Sequence, residues 1–517
     1  MNVVFRVDAS IQIGIGHVMR CLSLADQIQK LPSNIYFISR ALDGHLGDLI
    51  TKKGYKVILL PNLEKDFTST ENNSGYINWL GLSWHQDANE TTEVIKNDEL
   101  DWLIVDHYCF DYRWHNKLKK FSKKLMVIDD LANRKLNCDL LLDQTYGRIH
   151  SDYIQLVNVN TELLLGAEYA LLRSEFSLFR LEALKKRKES NSIDNILVSV
   201  GGMDFKNFTK TIVDNLLLVK WNKKIIINIV LSDLAPNLES VKLLTQNSNY
   251  KFEINLIINA DNIAELMVEA DLAIGSSGTT SWERCALGLP ALVMCTAENQ
   301  KLIAENLQKK GVHLVIDISE SEKIPLLTTK INEFQKNHDI LKNMSDAAFN
   351  ICSGKGASFL ALKMSPYTTK NGIKIDIRNA TIDDAKIIYD WQCDPKTRKY
   401  AINSETPSWS AHVTWVDKKI NSFLSFFWII IHDDSPSGVL RLDPKNLGEG
   451  DGYLISIFVD PDKYNLGIGK GAIEITKRIF SDSKLYAKVL SNNNNSISMF
   501  TTANFKFRED LTYFEWK

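Results

Sequence analysis

The chain has 517 residues, of which 44% are hydrophobic and 24% are charged. This length exceeds what one compact core accommodates and predicts about three domains, while the composition excludes global disorder. With 61 basic and 63 acidic residues the net charge is −2, which excludes wholesale binding of nucleic acid or of an anionic membrane surface by bulk charge.

The chain shows no sign of secretion or membrane insertion. Its first residues, MNVVFRVDAS, form a strand-like run and lack the basic and apolar regions of a signal peptide. The longest apolar stretch, from Phe423 to Ile431, is too short to span a bilayer. The seven cysteines are scattered without the spacing of a metal site or a disulfide framework, so we interpret them as free thiols and expect a cytoplasmic protein.

Along the first part of the chain, short apolar runs alternate with amphipathic segments, a pattern typical of parallel strands joined by crossover helices. The first series predicts strands at residues 3–7, 35–39, 57–60, 102–106, 125–129 and 140–143. A helix that ends in the polar run KKRKESNSID then connects to a second series. The second series predicts strands at residues 195–200, 225–231, 252–257, 272–275, 291–294 and 312–316. We therefore expect an α/β fold with two Rossmann-like lobes, residues 1–185 and 186–364, and a ligand cleft at the carboxyl ends of their strands.

The last part of the chain has a different pattern. The segment SPYTTKNG, residues 365–372, combines proline, threonine and glycine and is predicted to be a linker. The sequence pattern of residues 373–517 then predicts an initial strand, two helices, a strongly apolar strand pair, a helix and a final hairpin. This third unit is predicted to be a separate α+β domain.

The first candidate site follows the first strand, in DASIQIGIGHVMRCLSLA. Gly14 and Gly16 let backbone amides approach an anion, and a helix is predicted to start near His17. A dinucleotide fingerprint would need a third glycine where Met19 stands, so we exclude an NAD site. A helix N-terminus disfavours the imidazolium form, which suits His17 as a general base. The alternative is that His17 only caps the helix or contacts a phosphate.

The second lobe contains two turns of the same kind, in SVGGMD and IGSSGTTSWERCALGLPALV. Ser277, Gly278 and Thr279 offer hydroxyls and amides at a helix start, which can hold a diphosphate without a metal. Glu283 lies one turn further on and can accept both hydroxyls of a ribose. The alternative is a strand-to-helix turn that binds no ligand. Asn299 and Gln300 begin the next helix and are predicted at the same edge of the cleft.

Seven motifs occur in order along residues 1–350: RVDAS…IGHVMRCLSLA, DHYCFD, DDLANR, DQTYG, SVGGMD, GSSGTTSWERCALGLP and AENQ. Together they resemble the UDP-2,4-diacetamido-2,4,6-trideoxy-β-L-altropyranose hydrolases of pseudaminic acid biosynthesis. That family is similar to GT-B glycosyltransferases, so the resemblance implies a GT-B-like fold in which the second lobe holds UDP and the first lobe faces the sugar.

The resemblance also implies roles for individual residues. His17 would activate water at the anomeric carbon, with Tyr108 and Asn299 as sugar-facing helpers. The diphosphate would be held by Gly202, Ser277, Gly278 and Thr279, and the ribose by Glu283. Asp8 and Arg20 would orient the loop or the sugar, although a structural Asp–Arg pair that braces the first helix is an equal alternative.

The third unit contains the strand, turn and helix YLISIFVDPDKYNLGIGKGAIEITKRIF. This segment resembles the acetyl-CoA-binding signature of GNAT acetyltransferases, and the resemblance extends over Ile373–Lys517. It implies a cofactor site formed by Gly467, Ile468, Gly469, Lys470 and Gly471, with Asn493 as a further contact. The backbone amides of this turn would face the pyrophosphate.

Three positions of the third unit depart from the GNAT pattern. Tyr464 replaces a glutamine or arginine, Asn504 replaces a glycine, and Phe500 replaces the tyrosine that protonates the departing thiolate in many members. Another donor, such as Tyr486, would then have to supply that proton. The alternative is a unit with the GNAT fold that does not bind acetyl-CoA.

The two resemblances together predict a bifunctional enzyme. One unit would N-acetylate UDP-4-amino-4,6-dideoxy-N-acetyl-β-L-altrosamine with acetyl-CoA, and the other would hydrolyse the resulting UDP-diacetamido sugar to UDP and the free sugar. The predicted ligands are the UDP-amino sugar, acetyl-CoA and water, with no metal, nucleic acid or membrane. Contact with neighbouring pathway enzymes is left open. The alternative function is a GT-B glycosyltransferase whose GNAT-like unit acts as an acetyl-CoA sensor or docking module.

Overall fold

A computed structural model of the chain describes residues 1–62, 76–245, 252–316, 324–446, 451–509 and 512–517. The chain divides into two compact units, Met1–Ala357 and Ser358–Lys517. The first unit contains both predicted α/β lobes. In the part of the chain that the structure describes, no helix is long and apolar enough to cross a membrane.

The first lobe is built around a parallel sheet. Among the described residues its strands lie in the order β3-β2-β1-β4-β5-β6-β7. Every strand predicted for this lobe is present, and β7 is an additional one. The elements are β1 (Asn2–Val7), α1 (Gly16–Ile28), β2 (Asn34–Arg40), α2 (Gly47–Lys52), β3 (Lys56–Leu60), α3 (Trp84–Ile95), β4 (Leu100–Asp106), α4 (Tyr112–Leu118), β5 (Ser122–Ile128), β6 (Leu140–Asp143), β7 (Glu162–Leu165), α5 (Ser174–Leu178) and α6 (Arg180–Glu189).

The second lobe repeats this architecture. Its parallel strands, within the described ranges, lie in the order β10-β9-β8-β11-β12-β13, and all the predicted strands are present. The elements are β8 (Asn195–Ser199), α7 (Phe208–Leu216), β9 (Ile226–Leu231), α8 (Leu238–Thr245), β10 (Glu253–Ile258), α9 (Ile263–Glu269), β11 (Leu272–Ser276), α10 (Thr280–Ala286), β12 (Ala291–Met294), α11 (Lys301–Lys309), β13 (His313–Val315), α12 (Ile324–Lys336) and α13 (Asp339–Phe349).

The strand order fixes where each lobe can bind a ligand. In the first sheet the order reverses between β1 and β4, and in the second between β8 and β11. The loops after such a pair of strands leave in opposite directions and open a crevice at the carboxyl end of the sheet. The glycine-containing turns predicted from the sequence follow β1, β8 and β11, so each lies at a switch point.

Apolar residues on both faces of these sheets form the cores of the two lobes. Val3, Val4 and Phe5 of β1 are each 0% exposed, as expected for a parallel strand covered on both faces. In the first lobe, Phe110 and Trp114 stack with ring centroids 4.5 Å apart within the core. These packed sheets therefore fix the position of the glycine-containing turns that follow β1, β8 and β11.

The second unit contains a mixed sheet with strand order β14-β15-β16-β17-β18-β19-β21-β20 in the described residues. Residues 365–372, predicted as a linker, contribute the edge strand β14, in which Tyr367 pairs with Ile375. The elements are α14 (Gly356–Met364), which begins just before the division, β14 (Tyr367–Thr368), β15 (Lys374–Asn379), α15 (Ala385–Cys393), α16 (Pro395–Arg398), α17 (Trp409–Ile420), β16 (Phe426–His432), β17 (Ser435–Asn446), β18 (Asp451–Val459), α18 (Ile468–Ile479), β19 (Lys484–Ala487), α19 (Asn494–Thr502), β20 (Lys506–Arg508) and β21 (Tyr513–Trp516).

Candidate active site

The loop after β1 presents the start of a helix to the crevice of the first lobe. Gly14 has a φ of 80°, and its N–H donates to the carbonyl of Ser10 at 2.8 Å. This turn reverses the chain, so α1 begins at Gly16, and no described side chain caps the helix at Ile15. The N–H groups of the first turn, including that of His17, are therefore available at the positive end of the helix dipole.

His17 is held in one orientation by Asp106, the last residue of β4. The Nδ1 atom of His17 lies 2.6 Å from Oδ1 of Asp106. Burial alone would raise the pKa of Asp106, but the charge of Arg20 and the hydrogen bonds donated by Arg20 and His17 hold it well below its usual range. Because an ionised carboxylate only accepts hydrogen bonds, Nδ1 carries the proton and Nε2 presents a lone pair. This is the tautomer that a general base requires.

Arg20 braces the same carboxylate. Its Nε and Nη2 atoms donate to the two oxygens of Asp106, each at 2.6 Å, and its Nη1 donates to Asp130 at 3.0 Å. The Arg20 side chain is buried between these carboxylates. Arg20 therefore positions His17 through Asp106, and a direct contact of Arg20 with a sugar stays a prediction.

The alternative pairing of Asp8 with Arg20 is wrong. Asp8 accepts from Nη1 of Arg6 at 2.6 Å and from the backbone N–H of Arg40 at 2.7 Å. It is 0% exposed, and Nε2 of His107 lies 3.3 Å from its other oxygen. A carboxylate enclosed in this way cannot orient a sugar directly, so Asp8 supports the edge of the sheet instead.

Aromatic rings stand beside His17. The ring of Tyr108 meets that of His17 edge-on with centroids 4.7 Å apart. Burial and the nearby Asp130 raise the pKa of Tyr108, so its phenol stays protonated and can donate a hydrogen bond. Tyr76 and Trp79 also belong to this group, and sequence reasoning missed them. They follow an irregular polar stretch in which no strand or helix periodicity marks a functional turn.

In the second lobe the turn after β11 offers a buried hydroxyl. The Oγ atom of Ser277 is enclosed and has no hydrogen-bond partner among the described residues, and the backbone N–H of Ser277 donates to Met294 at 3.0 Å. A buried hydroxyl without a partner is costly, which indicates a site completed by a ligand. A Cβ at Gly16 would lie 3.9 Å from Oγ1 of Thr279, so this turn faces the His17 loop of the first lobe.

The glycines around this turn have different roles. A Cβ at Gly275 would lie 2.1 Å from the carbonyl oxygen of Ser199, so this glycine permits β8 and β11 to pack closely. Gly201, with a φ of 108°, makes the turn after β8, and the next residue, Gly202, accepts from the backbone N–H of Ser232 at 3.0 Å. Because glycine has no side chain and the Gly202 carbonyl is already engaged, the predicted contact with diphosphate would be made by the Gly202 N–H group.

Two charged residues lie in α10, directly after the turn. Burial raises the pKa of Glu283 to about 7, against the opposing charges of Arg173 and Arg284. The Glu283 carboxyl has no hydrogen-bond or ion-pair partner in the described chain, and its contact with a ribose stays a prediction.

Arg284 was not predicted as a site residue. It is 4% exposed, and its Nη2 donates to the carbonyl of Ser276 at 2.9 Å. Although burial lowers the pKa of Arg284 to about 10, the side chain stays charged near neutral pH. The described residues place no carboxylate within ion-pair distance of it. Arg284 thus puts a positive charge beneath the predicted diphosphate turn.

Asn299 and Gln300 belong to a short 3₁₀ helix, Glu298–Gln300, that precedes α11. Oε1 of Gln300 accepts from the N–H of Thr296 at 3.0 Å. Nε2 of the same side chain lies near Gly278, because a Cβ added to that glycine would be 3.5 Å from this nitrogen. Asn299 is exposed, and its side chain makes no hydrogen bond within the described ranges. Gln300 therefore lies beside the turn after β11, whereas a sugar contact of Asn299 stays a prediction.

The candidate acetyl-CoA turn of the second unit lies between β18 and α18. Gly467, with a φ of 79°, forms the N-cap of α18. A Cβ at Gly469 would lie 2.9 Å from Sδ of Met499, and one at Gly471 would lie 2.9 Å from Ile375. These two glycines therefore allow α18 to pack closely. The side chain of Ile468 is buried, so only its backbone can reach a cofactor, and Lys470 is exposed.

The strands next to this turn separate. β18 pairs with β19 only from Gly452 to Ile455, although β18 continues to Val459. This opening lies beside the N-terminus of α18, where a ligand can add hydrogen bonds to the free strand edge.

The remaining predicted residues of this unit are placed in its interior or at a cap. Asn493 caps α19 by accepting from the N–H of Ser496 at 3.1 Å. Phe500 is buried against Phe505, with ring centroids 5.1 Å apart, and Tyr486 of β19 is also buried. Two roles stay predictions: that Asn493 contacts a cofactor, and that Tyr486 donates a proton.

The acidic pair Asp129-Asp130 is engaged by cationic side chains. Asp129 accepts from Nη1 of Arg134 at 2.7 Å and from the hydroxyl of Tyr153 at 2.7 Å, and Asp130 pairs with Arg20. In the described residues no group of three or more histidine, cysteine, aspartate or glutamate side chains is arranged to hold a metal ion.

Comparison with known proteins gives a family match for each of two regions. Residues 195–359 match the glycosyltransferase family 28 C-terminal domain, and residues 386–505 match the acetyltransferase (GNAT) family. The solved structure of MurG from Acinetobacter baumannii superposes with a TM-score of 0.52 at 13% sequence identity, covering 70% of this chain and 99% of that one. The predicted GT-B-like fold followed by a GNAT unit is thus confirmed.

Two relatives align over most of their own length. An uncharacterized protein of Methanocaldococcus jannaschii is 25% identical over 530 residues, which cover 100% of this chain and 99% of that protein. The UDP-2,4-diacetamido-2,4,6-trideoxy-beta-L-altropyranose hydrolase of Campylobacter jejuni is 30% identical over 312 residues, 60% of this chain and 97% of that protein.

Proposed function

The chain belongs to the family of UDP-2,4-diacetamido-2,4,6-trideoxy-β-L-altropyranose hydrolases, and from this premise we propose that its first unit hydrolyses this UDP-sugar to UDP and the free sugar. The observation that carries the proposal is the His17–Asp106 pair, 2.6 Å apart, in a loop that faces the turn carrying Ser277 and Thr279. A base and a diphosphate-binding turn on opposite sides of a cleft are what hydrolysis of a sugar nucleotide requires.

The proposed hydrolysis is a displacement at the anomeric carbon. Nε2 of His17 takes a proton from water while the water oxygen bonds to the anomeric carbon. The bond from that carbon to the β-phosphate oxygen breaks, and UDP leaves with the electron pair. Asp106 stabilises the imidazolium that forms, as an ionised carboxylate does in a hydrogen-bonded histidine pair. Ser277 Oγ, the amide of Gly202 and the buried charge of Arg284 would stabilise the departing diphosphate.

For the second unit we propose N-acetylation of the preceding UDP-4-amino sugar. The neutral 4-amine attacks the thioester carbonyl of acetyl-CoA, the carbon–sulfur bond breaks, and CoA leaves as the thiolate. The nitrogen then loses a proton, which passes through water to the thiolate and gives the free thiol of CoA. The N-cap at Gly467 and the open edge of β18 are the features that support acetyl-CoA binding. The two activities would then act in succession on the same sugar.

NMR of one reaction mixture tests both proposals. Pure protein is incubated with acetyl-CoA and the UDP-4-amino sugar, and the acetamido and anomeric signals are followed. We expect a second acetamido signal first, followed by a free reducing sugar. Release of UDP only when a sugar acceptor is added would identify a glycosyltransferase instead. Acetyl-CoA binding in calorimetry without acetamido formation would identify a sensor or docking unit.

Hydrolysis is expected to proceed without a divalent metal. The hydroxyl of Ser277, the first-turn amides and the charge of Arg284 provide the stabilisation that a metal ion would otherwise give to the diphosphate. UDP release from the diacetamido sugar nucleotide should be unchanged in excess EDTA. Activity that is lost in EDTA and restored by magnesium would contradict this expectation.

The affinity for UDP is expected to rise with pH through the titration of Glu283. Its pKa is raised to about 7 by burial, and ribose hydroxyls donate to the charged form, so binding releases a proton below that pH. Linkage then predicts an increase of about tenfold in affinity between about pH 6 and pH 8. Calorimetry would measure this change.

The matched control for this pH dependence is Glu283→Gln. The terminal phosphate of UDP also titrates near pH 6, so part of the dependence belongs to the ligand. The Gln variant should retain only that part and bind UDP with an affinity that changes less between pH 6 and pH 8. Identical pH profiles of the two proteins would show that Glu283 does not contact the ribose.

A further inference from the structure

Three aromatic residues form a continuous surface beside His17, which we name the aromatic wall: Tyr76, Trp79 and Tyr108. The ring centroids of Tyr76 and Trp79 are 4.7 Å apart, those of Tyr76 and Tyr108 are 5.0 Å apart, and those of Trp79 and Tyr108 are 5.6 Å apart. The wall touches the candidate base, because the Trp79 and His17 centroids are 6.4 Å apart.

The segment that carries Trp79 is fixed to the lobe on both sides of this residue. Leu80 and Leu82 are 1% and 4% exposed and belong to the core of the first lobe. Sγ of Cys109 donates to the backbone carbonyl of Tyr76 at 2.8 Å, which ties the segment to the loop after β4. Tyr76 and Trp79 themselves are only partly buried. The chain that carries these two rings is thus held by core and hydrogen-bond contacts, while both residues stay partly exposed.

The wall lies beside the candidate base, within 6.4 Å of the His17 ring for Trp79 and 4.7 Å for Tyr108. Burial raises the pKa of the Tyr76 phenol, and the charges of Asp130 in the first lobe and Glu298 in the second add to this effect. Glu298 belongs to the same 3₁₀ helix as Asn299 and Gln300. A sugar whose anomeric carbon is within reach of His17 would contact the wall.

Aromatic rings favour methyl groups and C–H faces over hydroxyls, because a hydroxyl placed against a ring loses its hydrogen bonds to water. The sugar proposed above carries a methyl group at C6 and two acetamido methyls where common hexoses carry hydroxyls. We propose that the aromatic wall, and Trp79 in particular, determines specificity for N-acetylated, 6-deoxy sugar nucleotides. This inference rests on the proposed hydrolase function.

The test compares binding of three ligands: UDP, the UDP-diacetamido-trideoxy sugar and UDP-N-acetylglucosamine. Calorimetry is done in a His17→Asn background so that no ligand is consumed. Trp79→Ala should weaken binding of the diacetamido sugar nucleotide by about tenfold or more, the range over which an apolar pocket discriminates. The affinity for UDP should be unchanged, and the affinity for UDP-N-acetylglucosamine should fall much less. The ratio of the affinities for the two sugar nucleotides should therefore decrease.

Trp84→Ala is the matched control. Trp84 is also partly buried, but its ring packs against Arg113, 5.2 Å from the guanidinium carbon to the centroid, and not against His17. This variant should keep the preference between the two sugar nucleotides, and Trp79→Phe should keep most of it.

Equal losses for both sugar nucleotides in Trp79→Ala, or no loss for either, would overturn the specificity role. A loss of UDP affinity would overturn it as well, because it would show a general disturbance of the cleft. Failure of the hydrolase proposal is recognised separately: the wild-type chain would then leave the UDP-diacetamido sugar intact, whatever the Trp79 variants bind.

Discussion

Replacing His17 with asparagine is expected to lower the turnover of UDP-sugar hydrolysis by about 10²–10⁴, the contribution that a general base usually makes. Asparagine can keep a hydrogen bond to Asp106, but it has no nitrogen able to accept the proton of water. Affinity for UDP should be unchanged, because the residues proposed to hold UDP lie in the second lobe. Single-turnover kinetics and calorimetry measure the two quantities separately.

His107→Asn is the control for this variant. His107 is a second buried histidine at the same edge of the sheet, but it stacks on Phe110, with centroids 4.6 Å apart, and faces Asp8. Its replacement should lower the melting temperature and leave turnover largely unchanged. If His17→Asn instead lost UDP affinity or thermal stability and kept its turnover, His17 would be a capping or phosphate-binding residue.

Gly469→Val is expected to abolish N-acetylation and to leave hydrolysis of the pre-acetylated sugar nucleotide intact. A Cβ at this position would already lie 2.9 Å from Sδ of Met499, and the two further methyl groups of valine would push α18 away from α19. The N-terminal amides of α18 would then no longer face the pyrophosphate of CoA. Acetyl-CoA binding and UDP release, measured on the same preparation, test this separation of the two activities.

A graded variant and a reciprocal one complete this experiment. Gly469→Ala adds one methyl group, which the flexible Met499 side chain can partly accommodate, so a smaller loss of acetylation is expected. His17→Asn should conversely acetylate the amino sugar at the normal rate and stop there. A parallel loss of both activities in Gly469→Val would show that the first unit depends on the second, contrary to the division of the chain into two compact units.

Much of the fold was predictable because parallel strands buried on both faces are continuous apolar runs, and such runs stand out in a sequence. β7, Glu162–Leu165, was missed because its three leucines form too short a run to be distinguished from a loop. Residues 365–372 were misjudged for a different reason. Proline and glycine there indicate turns, but whether a turn joins domains or lies within one depends on the partner strand, which here is β15.

The sequence by itself determined which loops are proposed to carry the chemistry. Gly14, His17 and the run from Ser276 to Thr279 are local signals, because a glycine turn at a helix start needs only adjacent residues. The tertiary structure decided which residues support those loops. Asp106 is 89 positions from His17, Asp130 is 110 positions from Arg20, and Asp8, one alternative partner for Arg20, pairs with Arg6. The physical reason is strand order: β1 and β4 become neighbours only when the sheet assembles, and that pairing depends on packing along the whole lobe rather than on any local pattern.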